Sequence, residues 1–475
     1  MKDLREFIQR AQGLGECKLI EGANWDLEIG AINAWQTSLN NSPMLLFDKI
    51  KGYKAGYRVV TNLFATDRRT ALALGLSLEA KGIELVKAWR DKTKGEVKGI
   101  PPIEVKNGPV KENIQIGDEV DLFKFPVPKW HEFDGGRYIG TGDLVITRDP
   151  DEGWVNLGTY RVQIHDKNIA TIYISPGKHA DIIRRKYWAK GKSCPVVVTC
   201  GQDPMLFAPA GMSMPWGISE YDYTGWMKGE PVEVTKGVVN DLPIPAAAEI
   251  ALEGEIMSPE VDSRVEGPFG EYTGYYASGE RPEGSFRVKA VLHRNDPIIQ
   301  GNPPSIPYRS TLGNGIRRAA NVWNELDRNL PGVKGVWSVD EAQGASMIVV
   351  SIKQMYPGHA KQAAMVTAGC STQAYMCRWI IIVDDDIDPS NINEILWCLG
   401  TRSDPESVDL IRECWGSPLD PMLTPEKRER GDTTHSTGII LACKPYHWIN
   451  KFPRSIKVSP ELIEETKRKW AKSFE

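Results

Sequence analysis

The chain has 475 residues, more than a single hydrophobic core usually serves, so two or three domains are expected. Its 41% hydrophobic and 25% charged residues are those of an ordinary globular protein, and a net charge of −4 at pH 7 excludes the basic footprint of a nucleic-acid binder. No stretch approaches the ~18 consecutive apolar residues of a membrane span, and the first turns mix acids and bases with no export signal, so a cytoplasmic location is expected.

Leu4, Phe7, Ile8 and Ala11 recur at helical spacing, which predicts an opening amphipathic helix ending at Gly13 or Gly15. Apolar runs at 44–47 and 57–64 and a helical stretch from Asp67 make residues 1–114 an α/β portion, closed by a Lys-, Gly- and Pro-rich linker at 92–113. From 115 to 310 many β-type runs are separated by Gly, Pro and Asp turns, with one helix from His179 among them. An antiparallel sheet or barrel is the expected architecture there. Residues 311–475 return to alternation: a strand near 347–353, a helix over 359–370, a strand at 378–384, and a helix with Asp388 as N-cap and Pro389 at its first position. The final helix starts at Ser459 and Pro460 and carries Ile463, Trp470 and Phe474 on one face, so it needs a docking surface on its own chain or a neighbour's. The fold class expected is α+β, and the eight cysteines, lacking a C-x-x-C pair, read as reduced, mostly buried thiols.

The stretch 265–276 reads V-E-G-P-F-G-E-Y-T-G-Y-Y. The Gly-Pro-x-Gly between Glu266 and Glu271 breaks the strand, allowing both carboxylates to face one cavity, where repulsion would leave a proton donor near neutral pH. The alternative is a surface turn with two solvated acids, which spacing alone favours. Residues 154–166 read as one strand with Val162 and Ile164 on one face and Arg161, Gln163 and His165 on the other. Arg161 is then either a bidentate carboxylate clamp or a surface ion pair. Asn156 has the opposite parity to Arg161 unless Gly158 makes a bulge. His179 and Glu220 are candidate metal ligands, with helix capping as the alternative for each, and the run Asp384, Asp385, Asp386 reads as a solvated turn.

Taken together, these segments resemble the UbiD-type family of prenylated-flavin-dependent decarboxylases over most of the chain. E-G-P-F-G-E at 266–271 is the most specific element, with N-x-x-x-x-R at 156–161, P-x-x-H at 176–179 and M-x-x-P-x-G-x-S-E at 212–220 in the expected order. The resemblance implies a central split β-barrel of flavin-reductase type at 115–310 between two α/β portions, the last an oligomerisation domain at 311–475. It implies catalytic roles for Arg161, Glu266 and Glu271, with Arg161 holding the substrate carboxylate and Glu271 protonating the vacated carbon. It further implies that Asn156, Thr159, Tyr160, Arg161, Lys178, His179, Met212 and Glu220 bind prenylated FMN. Of these, Asn156, His179 and Glu220 would hold Mn2+ or Mg2+, a hard donor set, with backbone oxygens near Leu157, Ala210 and Met212 for K+ or Na+.

The activity implied is reversible non-oxidative decarboxylation of an unsaturated acid, aromatic or heteroaromatic. The implied partners are a flavin prenyltransferase as cofactor supplier and further copies of the chain in a dimer or hexamer. Lys427 is the candidate for a phosphate-contacting lysine, and His435 for a substrate contact, with a solvent-facing loop histidine as the alternative. An FMN-dependent oxidoreductase and a non-catalytic subunit of a larger carboxylase are the competing functions.

Overall fold

A computed structural model describes residues 1–39, 41–212, 214–306, 314–344 and 346–473. The opening helix is Leu4–Gly13, capped by Asp3, which accepts from the Glu6 N–H, and it buries the four apolar residues whose spacing predicts it. Strands Cys17–Glu21 and Met44–Asp48 run parallel around the helix Glu28–Thr37, and Arg58–Thr61 pairs antiparallel with the second of them. The fourth strand of this sheet, Ile298–Gln300, comes from far along the chain and lies parallel to Arg58–Thr61, fastening the first portion to the middle one.

The middle of the chain is a ten-stranded sheet in which every pairing is antiparallel. Its path of eight strands is Arg137–Gly140, Arg161–Asp166, Ile169–Tyr173, Arg281–His293, Ile250–Ile256, Cys194–Cys200, Asp143–Arg148 and Val155–Gly158, with Ser263–Glu266 and Asn113–Ile116 also pairing with Arg281–His293. The sheet curls around a core that includes Tyr138, Val145, Val162, Ile172, Val198, Leu252 and Phe286. Two features differ from expectation. The run 154–166 is two strands, broken at Thr159 and Tyr160 and lying far apart along the path of the sheet. Besides the helix His179–Ala189, two short helices, Pro204–Ala210 and Glu220–Lys228, interrupt the β-rich portion. Both are opened by an Asp or Ser cap, Asp203 and Ser219, a signal that their short length obscured.

The last portion is a five-stranded sheet in which Met347–Ile352, Trp379–Asp384 and His435–Ala442 run parallel, with antiparallel edge strands Val333–Ser338 and Asp409–Cys414. The helix His359–Gly369 makes the crossover between the first two parallel strands, as a βαβ unit requires. The predicted helix after 384 begins later than expected: it is Ile392–Arg402, capped by Asn391, while Asp388 instead accepts from the N–H and hydroxyl of Ser390 in the preceding turn.

The three aspartates are not simply a solvated turn. Buried Asp384 accepts from Gln354 Nε2 at 2.7 Å, from the Lys444 N–H at 2.7 Å and from Arg402 at 3.2 Å. Asp386 takes both ends of the Arg402 guanidinium, at 2.7 and 2.9 Å. Burial works against the Asp386 charge, but Arg402 and Lys444 outweigh it and hold the carboxyl below its usual range.

The terminal helix Pro460–Trp470 is capped by Ser459 as its sequence predicts. All its residues are exposed, Leu462, Ile463 and Trp470 included, so it does not dock on its own chain. Phe474 lies outside the described residues. All eight thiols are free and six are buried. No helix among the described residues is long and apolar enough to cross a membrane.

Candidate active site

Glu266 ends the strand Ser263–Glu266, and the chain then turns at Gly267, whose φ of 87° is open to glycine without strain. This turn is held from behind. Asp134 accepts from the N–H groups of Gly270 and His131, both at 3.0 Å, and Gly135 donates to the Pro268 carbonyl at 2.7 Å. The result brings both carboxylates inward: Glu266 is 0% and Glu271 5% exposed.

Arg161, the first residue of its strand, lies between them. Its Nε and Nη2 donate to the two oxygens of Glu266 at 2.6 and 2.7 Å, a fork-to-fork pair, while Nη1 donates to Glu271. The guanidinium also lies over the rings of Tyr173 at 4.2 Å and Phe269 at 5.3 Å. Burial disfavours its charge, but Glu271 and Glu266 outweigh that and raise its pKa. Burial raises the pKa of Glu271, with Arg161 and the Ser278 hydroxyl at 2.9 Å working against it and Glu266 adding a smaller push upward. Desolvation, more than the repulsion expected from spacing, is therefore what shifts Glu271 toward its protonated form.

Arg161 and Glu271, with Tyr173 and Phe269, open onto a cavity of about 330 Å³, within the range of small-ligand sites, and Glu266 lies behind them. Thr159, Tyr160, Arg161, Lys178 and Glu271 line it from the central sheet; Arg318, Gln343, Tyr375 and Leu419 line it from the last portion. Tyr173 Oη, Arg318 Nη1, Gln343 Oε1 and both oxygens of Asp143 are buried on its wall without a hydrogen-bond partner on another residue. Lys178, whose pKa is lowered by burial and then by Arg318, stands over the Tyr375 ring at 4.7 Å. Together Lys178 and Arg318 give the cavity a cationic wall. Arg318 was missed in the sequence, although Ile316, Ala319, Ala320 and Trp323 mark the helix Asn314–Asn329 that carries it.

The three candidate metal ligands sit on a neighbouring patch. The strand Val155–Gly158 packs against both the helix begun by His179 and the helix begun by Glu220. The His179 ring meets Trp154 and Trp216 edge-on at 5.6 and 5.3 Å, and those two rings meet each other at 5.0 Å, tying together the three segments. Glu220 is 2% exposed and its pKa is pushed up to about 8 by burial, against the Leu157 N–H, which donates to its side chain at 2.7 Å, and its own backbone N–H. Asn156 is equally buried and its amide nitrogen has no partner. Burial lowers the His179 pKa and keeps the imidazole neutral, the form that binds metals. Neither His179 nor Glu220 serves as an N-cap: Lys178 and Ser219 hold those positions. Among the described residues no group of three His, Cys, Asp or Glu is placed to hold a metal; this set has two, completed by an amide.

Gly158 fixes the local geometry differently from the bulge considered for it. A Cβ there would lie 2.4 Å from the Tyr160 ring, so glycine lets that ring fold back against the strand end as the chain leaves it. Gly158→Ala should therefore displace Tyr160 and cost about 1–3 kcal/mol of stability, read by urea unfolding. His435 and Lys427 do not reach the main cavity. They line a second one of about 360 Å³, in which Lys427 donates to Thr434 O at 2.8 Å and the His435 Nδ1 contacts the Ser436 carbonyl at 3.0 Å. His435 is neither a loop residue nor solvent-facing, since it opens the strand His435–Ala442 and is buried.

Comparison with known proteins places this constellation. Residues 103–307 match the 3-octaprenyl-4-hydroxybenzoate carboxy-lyase Rift-related domain, 8–89 the N-terminal domain and 310–442 the C-terminal domain of the same enzyme family. The chain is 32% identical over 441 residues to a phenolic acid decarboxylase of Sedimentibacter hydroxybenzoicus, covering 89% of each protein. It belongs to the UbiD family. A pyrrole-2-carboxylic acid decarboxylase of Pseudomonas aeruginosa is also 32% identical, over 90% of this chain and 89% of the relative. Among solved structures, the vanillic acid decarboxylase of S. hydroxybenzoicus in open form, with truncated ShVdcD, superposes with a TM-score of 0.85 at 29% identity, covering 99% of each chain. The UbiD-class enzyme HmfF from Pelotomaculum thermopropionicum in complex with FMN gives 0.84 at 27% identity, covering 97% of this chain and 98% of that one. The mixed α+β architecture is thus that of UbiD enzymes along the whole chain.

Proposed function

We propose that this UbiD-family chain removes CO2 from, or adds it to, an unsaturated carboxylic acid of aromatic or heteroaromatic type, with prenylated FMN as its cofactor. The observation that carries the reading is Arg161 held between two buried carboxylates, Glu266 behind it and Glu271 beside it on the cavity wall. Relatives that act on phenolic acids and on pyrrole-2-carboxylate, and an HmfF structure holding prenylated FMN, support the substrate class and the cofactor. Prenylated FMN, when bound, supplies the electron sink for the departing carboxylate.

The chain's own residues do the rest. Glu266 occupies the Nε–Nη2 edge of Arg161, leaving Nη1 to Glu271, which lines the cavity. A protonated Glu271 holds Nη1 only weakly, which frees it for the substrate carboxylate. Glu271 then delivers its proton to the carbon that lost CO2, and Arg161 stabilises the carboxylate left behind. Phe269 and Tyr173 wall off water beside Arg161.

Lys178 and Arg318 suit the cofactor phosphate, and Asn156, His179 and Glu220 suit a hard divalent ion beside it, Mn2+ or Mg2+. Backbone oxygens around Gly211, which lines the cavity between Ala210 and Met212, suit K+ or Na+. Within this reading the curled central sheet, about 115–310, is a split β-barrel of flavin-reductase type between portions 1–114 and 311–475. The exposed Leu462, Ile463 and Trp470 of the terminal helix belong at a contact between copies of the chain.

His179→Ala tests the cofactor arm. The variant should stay folded by circular dichroism yet purify with little manganese and little flavin after co-production with a flavin prenyltransferase. Full flavin and metal occupancy would remove the Asn156, His179 and Glu220 assignment.

A further inference from the structure

Asp143 stands out among the buried acids. It opens the strand Asp143–Arg148, is 1% exposed, and lines the main cavity beside Thr141 and Asn302. Neither of its oxygens has a hydrogen-bond partner on another residue, and no other buried carboxyl among the described residues is unpaired at both oxygens. The other buried acids of this sheet are satisfied. Glu249 is bound by Arg5 and Arg294, Glu253 by the N–H groups of Val238, Val239 and Asn240, and Glu266 by Arg161. Asp143 faces Cys200 across the ladder, and that thiol donates to the Ile139 carbonyl instead. The fold therefore buries an acid that it does not itself use.

Resting on the flavin reading above, we propose that the Asp143 carboxyl recognises the imide edge of the flavin's pyrimidine ring and so sets the ring's place in the cavity. Complete burial with no cation beside it raises the Asp143 pKa well above its usual value and so favours the neutral acid. A neutral carboxyl presents one donor and one acceptor side by side in a plane. The imide offers the complement: its N–H donates to the acid's carbonyl oxygen, and an adjacent ring carbonyl accepts the acid's proton. The charged parts of the cavity are suited to other ligand groups. Lys178 and Arg318 fit an anion, and Arg161 with Glu271 fits a carboxylate; neither is built for a neutral donor–acceptor edge.

The test is a fluorescence titration of FMN into the cofactor-free protein with manganese present and no acid substrate, comparing wild type with Asp143→Leu and Asp143→Asn. D143L, close in shape but without polar atoms, should bind FMN on the order of 10- to 100-fold more weakly while its cofactor-free form melts no lower than wild type, because an unpaired polar group is gone. D143N keeps a donor and an acceptor in one plane and should bind within about threefold of wild type. The infrared band of a protonated carboxyl should shift on FMN binding to wild type and be missing in D143N. Unchanged FMN affinity in D143L would overturn the assignment, all the more if its only defect were a raised KM for the acid substrate. Equal weakening in D143N and D143L would overturn the paired hydrogen bonds. A wild type that takes up no FMN at all would bring down the flavin reading itself, a different result from wild-type binding that D143L shares.

Discussion

Replacing Glu271 by Gln should lower the rate of CO2 release by roughly 10² to 10⁴, the usual contribution of a general acid, with flavin and metal still bound. Glutamine keeps the size of the side chain and its acceptor toward Arg161 and Ser278, and loses only the transferable proton. The pH profile sharpens the expectation. Burial raises the Glu271 pKa above the usual carboxylate value, so the protonated form persists toward neutral pH and is lost as the pH rises through that shifted value. The wild-type kcat should therefore fall on the alkaline side, and E271Q should lack that limb. Stopped-flow absorbance of the acid substrate across pH reads both; a wild-type rate in E271Q would exclude Glu271 as the proton donor.

The second large effect is expected at Arg161. Lysine retains the charge but cannot reproduce the fork that grips Glu266 at 2.6 and 2.7 Å. Losing two charge-assisted hydrogen bonds, roughly 1.5–3 kcal/mol each, predicts that Arg161→Lys lowers kcat/KM by about 10²- to 10⁴-fold through both kcat and KM. Arg161→Met goes further, because it strands the fully buried Glu266 carboxylate with no cation against it. Removing one partner of a buried ion pair costs about 3–5 kcal/mol, so this variant should unfold at distinctly lower urea than wild type. Steady-state kinetics of R161K and urea melts of R161M separate the catalytic from the structural share of the residue.

The sequence carried the fold where periodicity is strong. The stripe of Leu4, Phe7, Ile8 and Ala11 and the near-continuous apolar run 380–383 both name their elements, because burial of one stripe or of both faces leaves a direct pattern. It carried the site only through motifs. Spacing alone favoured Glu266 and Glu271 as solvated surface acids, and what buries them is Asp134 and Gly135, more than 130 residues earlier in the chain, holding the turn from behind. The parity that separates Asn156 from Arg161 dissolves because the run containing them is two strands, and the ring of Tyr160 against Gly158 at the break has no periodic signature. The long-range partners were out of reach for the same reason. Asp384 reads as solvated until Gln354, Arg402 and Lys444 arrive from three other segments.

The role proposed for Glu271 and Arg161 is in loss of CO2 and not in flavin redox chemistry. The most direct measurement is turnover in D2O of protein co-produced with a flavin prenyltransferase, supplied with a phenolic acid or pyrrole-2-carboxylate, with the product read by NMR and the gas by mass spectrometry. One deuterium on the carbon that carried the carboxylate, in step with CO2 release and abolished or greatly slowed in E271Q, is the expected result. Oxidation of a nicotinamide cofactor with no CO2 release from any such acid would contradict it.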